Sequence, residues 1–132
     1  MSRIDNGQVC NTQGAPNPST PALKVTGIPA GAKYLILKVT DEDYGNSGGH
    51  GIFRIDLPAN TSETTIPSIF ETKKELPAGV SLVKGEENGM SKHGHYLPPC
   101  SNGRNHAYYS DVEVYNSDDK KINANYIEWG RY

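Results

Sequence analysis

The stretch AYYSDVEVYN, residues 107–116, most restricts what this chain can become. Its side chains alternate, with Tyr108, Ser110, Val112 and Val114 on one face and Tyr109, Asp111, Glu113 and Tyr115 on the other. A period of two marks a strand, because successive side chains of a pleated backbone point to opposite sides. GIFRIDLP (51–58) repeats the pattern, setting Phe53, Ile55 and Leu57 on a dry face against Ile52, Arg54 and Asp56 on a wet one. KYLILKVTD (33–41) is a short apolar run with β-branched residues, which predicts a central strand buried on both sides. TTIPSI (64–69) holds a proline, which cannot donate to a ladder, so an edge strand or an extended connection is expected there. NANYIEWGRY (123–132) predicts a last strand anchored by Trp129, and only IFETKKEL (69–76) offers a brief helical turn. Strands separated by Pro-, Gly- and Asn-rich turns rather than helices predict an all-β fold, an antiparallel sandwich or barrel with few or no helices.

No internal repeat or composition break divides the 132 residues, so residues 1–132 are read as one domain. A chain of this length buries roughly two-thirds of its unfolded surface and needs no staple. Thirteen basic side chains against fifteen acidic ones give a net charge of −2. The basic pairs Lys73-Lys74 and Lys120-Lys121 sit beside acids, and no basic patch interleaved with aromatics is present, so nucleic acid is not an expected partner. No apolar run is long enough to span a bilayer, and the opening MSRIDNGQVC lacks the apolar core of a signal peptide. As written, the chain reads as soluble and cytoplasmic, with secretion or a periplasmic location as the alternative if a leader has been removed. Cys10 and Cys100 fit neither a zinc-knuckle spacing nor a CxxC motif. Two free, buried thiols are the plainer reading, and a long-range disulfide is the alternative for an oxidising compartment.

Three loops carry chemistry: TDEDYGNSGGHG (40–51), SKHGHYLPPC (91–100) and NGRNHAYY (102–109). Asp41 and Asp43 are one residue apart, so on an extended stretch their carboxylates point the same way and repel, and at least one needs a cationic or imidazole partner. An imidazole bonded to such a carboxylate has its tautomer fixed and presents its other nitrogen. A tyrosine hydroxyl and loop N–H groups added to this set make a small pocket suited to phosphate or carboxylate. The plain alternatives are turn-capping aspartates, solvated loop histidines and packed tyrosines.

TPALKVTGIPAGAKYLILKVTDED resembles the opening motif of the phosphatidylethanolamine-binding protein family, in which a P-x-G-x-K turn leads into a strand ending in Asp-Pro-Asp. HGIFRIDLP is similar to that family's histidine-led strand, and LPAGVSLVKGEENGMSKHGHYLPPCSNGRNHAYY to its L-P-x-G, G-x-N, G-Y-x-G-P-C-P-P-x-G and His-Arg-Tyr elements, in the same order. The resemblance runs from about Pro21 to Tyr115 and points to the bacterial, Raf-kinase-inhibitor-like branch. It implies the family's antiparallel β-sandwich and a conserved anion pocket, built here from Asp41, Asp43, His50, Pro99, His106 and Tyr108. Three departures stand out: Glu42 replaces the proline between the aspartates, Gly51 occupies the histidine's register so that His50 falls one residue early, and Ala107 replaces the arginine, for which Arg104 is the nearest substitute.

Three function classes follow. The first is a non-enzymatic binding or regulatory protein, without a cofactor, that takes a small anionic or phosphorylated ligand or regulates a partner protein through that pocket. The second is a zinc or copper site using His93, His95, His106 or His50 with an aspartate. The third is a hydrolase pairing Ser47 or Ser101 with His50 or His106, which no nucleophile-elbow signature supports.

Overall fold

The computed structural model describes residues 8–10, 15–44 and 47–132; most of the MSRIDNGQVC opening and the Gly45-Asn46 part of the glycine-serine turn lie outside them. Seven strands form two antiparallel sheets and, among the described residues, no α-helix is present. Strands β2 (Ala32–Asp41), β3 (Ile52–Asp56), β5 (Val80–Lys84), β6 (Ala107–Asn116) and β7 (Lys121–Arg131) make one sheet in the order β5-β3-β2-β6-β7. Strands β1 (Leu23–Val25) and β4 (Thr64–Ile66) make a two-stranded second sheet. The fold is thus the β-rich, helix-poor sandwich the alternation predicts.

Register puts the apolar residues of the large sheet on one face. Leu37 faces Phe53 on one side and Val112 on the other, and Leu35 faces Ile55 and Val114. These side chains are buried and pack against Leu23, Ile28, Ile66 and Ile69 from the small sheet and its flanks. Burying each such aliphatic side chain contributes about 1.5–3 kcal/mol, so this contact layer holds the two sheets together. The other face of β2 is only half-buried at Ile36 and Lys38, so β2 is central but not dry on both sides. β3 behaves as its alternation requires, with Phe53, Ile55 and Leu57 buried and Asp56 exposed.

Residues 69–76 and the cysteines differ from expectation, while the Pro67 segment meets it. The helical turn anticipated at 69–76 is a tight turn closed by the Lys73 N–H on the Phe70 carbonyl at 3.2 Å. β4 stops before Pro67, as the missing N–H demands, and pairs with β1. Cys10 and Cys100 are not free thiols: they form a disulfide that closes a separation of 90 residues. The fold brings their Cα atoms to 5.3 Å, a proximity that no spacing in the sequence could show.

Candidate functional site

At one end of the β2–β6 pair the core-facing side turns polar. Asp41, the last residue of β2, lies opposite Tyr108 of β6, where the preceding core positions are Leu37, Val39, Val112 and Ser110. Asp41 is buried, and its Oδ2 accepts a 2.6 Å hydrogen bond from His106 Nδ1, just ahead of β6. That bond fixes the His106 ring, and Nε2 has no hydrogen-bond partner among the described residues. Asp41 Oδ1 accepts the Asp43 N–H at 2.9 Å.

This second bond changes the geometry expected of the two aspartates. The chain turns at residues 42–44 instead of continuing as a strand, so the carboxylates diverge. Asp43 Oδ2 accepts the Ala107 N–H at 2.7 Å and so ties the turn to β6. Asp43 is therefore a strut behind the site, while Asp41 faces it.

His50 reaches the same place by a different route. Its N–H donates to the Val39 carbonyl and the Val39 N–H donates to Gly51, which extends pairing past the end of β3. Gly51 has φ +127°, and a Cβ there would lie 2.5 Å from the His95 carbonyl and 2.8 Å from the Phe53 ring. Only glycine fits, and the kink it permits lets His50 turn inward although it sits one residue before the expected register. His50 Nδ1–H donates to the Leu97 carbonyl at 2.6 Å, leaving Nε2 as a lone-pair acceptor. Burial pushes this imidazole below its ordinary value, against the opposing pull of the Leu97 carbonyl and Asp41, and so favours the neutral form. Its ring meets Tyr108 edge-on at 5.5 Å.

Asp41, His50, His106 and Tyr108 line one cavity of about 180 Å³, together with Arg104, Ser101, Cys100, Leu97 and the rim residues Tyr44, Asn88 and Met90. Burial, reinforced by the Asp41 carboxylate, pushes the Tyr108 phenol well above its ordinary range, so it stays a proton donor. Arg104 has no carboxylate partner among the described residues, and it does not take the place of the missing arginine beside Asp43. Pro99 is buried in the wall, where its carbonyl accepts the Cys10 N–H at 2.9 Å. Of the six residues the resemblance implied, four line the cavity, Pro99 backs it and Asp43 braces it.

Tyr44 and Met90 were not singled out in the sequence. Both are largely exposed, at 69% and 63%, and Tyr44 stacks loosely on His106 at 6.4 Å. The Met90 loop is folded around Glu86, whose Oε1 accepts the Gly89 N–H at 2.6 Å and Oε2 the Ser91 N–H at 2.8 Å.

The remaining candidates lie elsewhere or are otherwise engaged. His93 and His95 stack at 5.8 Å, but each Nε2 bonds a carbonyl, of Thr72 and Lys73 respectively. Among the described residues no three His, Cys, Asp or Glu side chains gather to hold a metal ion. Ser47 donates to Asp111 on the opposite face of the sheet, and Ser101 donates to the Tyr132 carbonyl, so neither hydroxyl is aimed at an imidazole.

Compared with known families, residues 2–129 match the model described as phosphatidylethanolamine-binding protein. No curated protein and no solved structure matches the chain.

Proposed function

The chain belongs to the phosphatidylethanolamine-binding protein family, and from that premise we propose that it is a non-enzymatic binding protein whose polar cavity takes a small anionic or phosphorylated group. Membership supports a binding or regulatory role in general. The narrower reading rests on one observation: an Asp41–His106 pair, a protonated Tyr108 and an Arg104 with no carboxylate partner among the described residues, around a single cavity.

The donor set has a sense. Arg104 supplies positive charge and N–H donors for an anionic oxygen, and the Tyr108 hydroxyl and the His106 ring line the same cavity. The neutral His50 accepts at Nε2, so the best-matched ligand presents an O–H or N–H beside its charged oxygens. A hydrogen phosphate or a phosphomonoester with an amine meets both demands. About 180 Å³ suits a head group rather than an extended molecule. A protein partner regulated through occupancy of this cavity belongs to the same reading.

The disulfide supports an oxidising compartment, secreted or periplasmic, over the cytoplasm. No helix among the described residues is long and apolar enough to cross a membrane.

The test is linkage. Inorganic phosphate or phosphoethanolamine at about 100 times its Kd should raise unfolding free energy by about 2.7 kcal/mol, and His106→Ala should remove the gain. A thermal shift that is absent, or unchanged in His106→Ala, rejects this ligand class.

A further inference from the structure

We propose that the free edge of β7 is a twofold pairing surface: a second copy of this chain lays its own β7 antiparallel along it, and Lys120 of each copy meets the acidic, tyrosine-lined cavity of the other.

β7 ends the five-stranded sheet and, at eleven residues, is its longest strand. Residues Lys121 to Tyr126 are all exposed, with Ile122 at 39% and Tyr126 at 58%. An edge strand of this length, with no proline and no charge turned inward, is a template for another strand. Two of its donors make the point. The Ala124 N–H is met by Asn123 Oδ1 at 2.9 Å and the Tyr126 N–H by Asn125 Oδ1 at 2.8 Å, so neither is spent on β6. The carbonyls of a neighbouring strand can take both and turn local closures into a ladder.

The sequence of β7 selects one register with itself. Ala124, Tyr126 and Glu128 lie opposite Glu113, Asp111 and Tyr109 and share their outer face. In a twofold antiparallel pair the axis is perpendicular to the sheet, so residues directly opposite each other share a face. With the axis at Ala124, Ile122 of one copy lies against Tyr126 of the other and Lys120 against Glu128. Both exposed apolar side chains are then covered twice over, and the small alanine sits where the copies meet themselves. Moving the axis to Asn125 or Tyr126 sets Glu128 against Ile122 or Ala124 and strands the lysine.

Charge commits the edge to this partner. On the outer face Glu42, Asp111 and Glu128 surround Tyr109 and Tyr126 in an open cavity of about 340 Å³, the two rings meeting edge-on at 6.0 Å. No cation lines it, and none of the three carboxylates belongs to an ion pair among the described residues. The complementary charge stands at the other end of the same strand. Lys121 is held by Glu113 at 3.4 Å, whereas Lys120 is exposed and in no ion pair among the described residues. Antiparallel pairing brings the basic end of one β7 to the acidic end of the other, twice by symmetry. An ammonium placed there gains from the carboxylates and from the tyrosine rings beside them.

The experiment follows sedimentation equilibrium of the full chain at low salt over rising concentration. A monomer–dimer equilibrium is expected, weakening as salt is added. Glu128→Lys and Lys120→Glu, both on exposed side chains, should each weaken the dimer at least about tenfold, because like charges then face each other at both ends. Mixing the two variants should restore it, since the heterodimer recovers both opposite-charge contacts. Hydrogen exchange on the unaltered chain decides the matter if a variant does not fold: the Ala124 and Tyr126 amides should gain protection as concentration rises. A chain that stays monomeric at every concentration overturns the proposal. So does a dimer that both variants leave unchanged or that mixing fails to restore, since it then uses another surface. Amide protection in β7 that is indifferent to concentration also overturns it.

Discussion

The β2–β6 pair places acids and aromatic rings at both of its ends and uses them in opposite ways. At the far end, on the outer face, Tyr34 lies flat on Tyr115 at 5.1 Å and Arg54 caps the Tyr34 ring at 3.9 Å. The Tyr34 hydroxyl donates to Asp119 and the Tyr115 hydroxyl to Glu113, which also receives Lys38 and Lys121. Each polar group there is answered by another of the same surface. At the near end, Asp41 answers both His106 and the Tyr108 hydroxyl, but the second nitrogen of each histidine and Arg104 face a cavity. The difference teaches that residue type does not mark a site. What marks it is bonding capacity oriented into space that something else can enter.

The comparison is broken most directly by removing the acid at the near end. Asp41→Ala leaves the His106 Nδ1–H and the Asp43 N–H without their acceptor in a part-buried setting, where each orphan costs up to about 1–3 kcal/mol. Urea unfolding should show a loss of about 3 kcal/mol together with loss of the phosphate response. A loss no larger than that of an outer-face acid would mean that the near end is merely structural.

The next effect sharpens it through pH. His50 has a folded value lowered chiefly by burial, so between that value and the ordinary histidine value near 6.5 the unfolded chain binds more protons than the folded one. Stability contributed by neutral His50 is therefore complete above about pH 6.5 and declines as pH falls below it, with a slope of at most about 1.4 kcal/mol per pH unit. His50→Gln should flatten the stability profile between pH 6.5 and the acid limb. An unchanged profile would show that His50 is open to water.

How much of this was legible in the sequence follows from which interactions are local. The alternation of residues 107–116 gave β6 its bounds because each side chain's face is set by its neighbours in the chain. VSLVK carries no strand signal of its own, because five residues between two turns acquire strand geometry only from pairing with β3. The divergence of Asp41 and Asp43 was hidden because a side chain closing on the backbone two residues later looks, in sequence, the same as an extended strand. In sequence His50 falls out of register because the compensating kink lies in Gly51, whose need for positive φ appears only once His95 and Phe53 are in place. Family order located the His106 and Tyr108 strand. It could not show the disulfide or the exposed rim of Tyr44 and Met90, which depend on where distant loops meet.

The smallest expected effect tests the other half of the comparison, that the far end is self-contained. Burial alone pushes the Glu113 carboxyl up, but the Tyr115 hydroxyl and the two lysines outweigh it and hold the group below its ordinary value. A depressed carboxylate contributes stability that is present above the ordinary value near 4.5 and is lost as pH falls through the folded value. Glu113→Gln should therefore cost less than about 1 kcal/mol at neutral pH, because Lys38 and Lys121 are 29% and 50% exposed and screened by water. It should also trim the acid limb below about pH 4.5 and leave the phosphate-induced thermal shift untouched. A change in that shift would mean that the two ends communicate along β6. The two would then have to be treated as one electrostatic unit, with the outer-face network helping to hold Tyr108 and His106 in place.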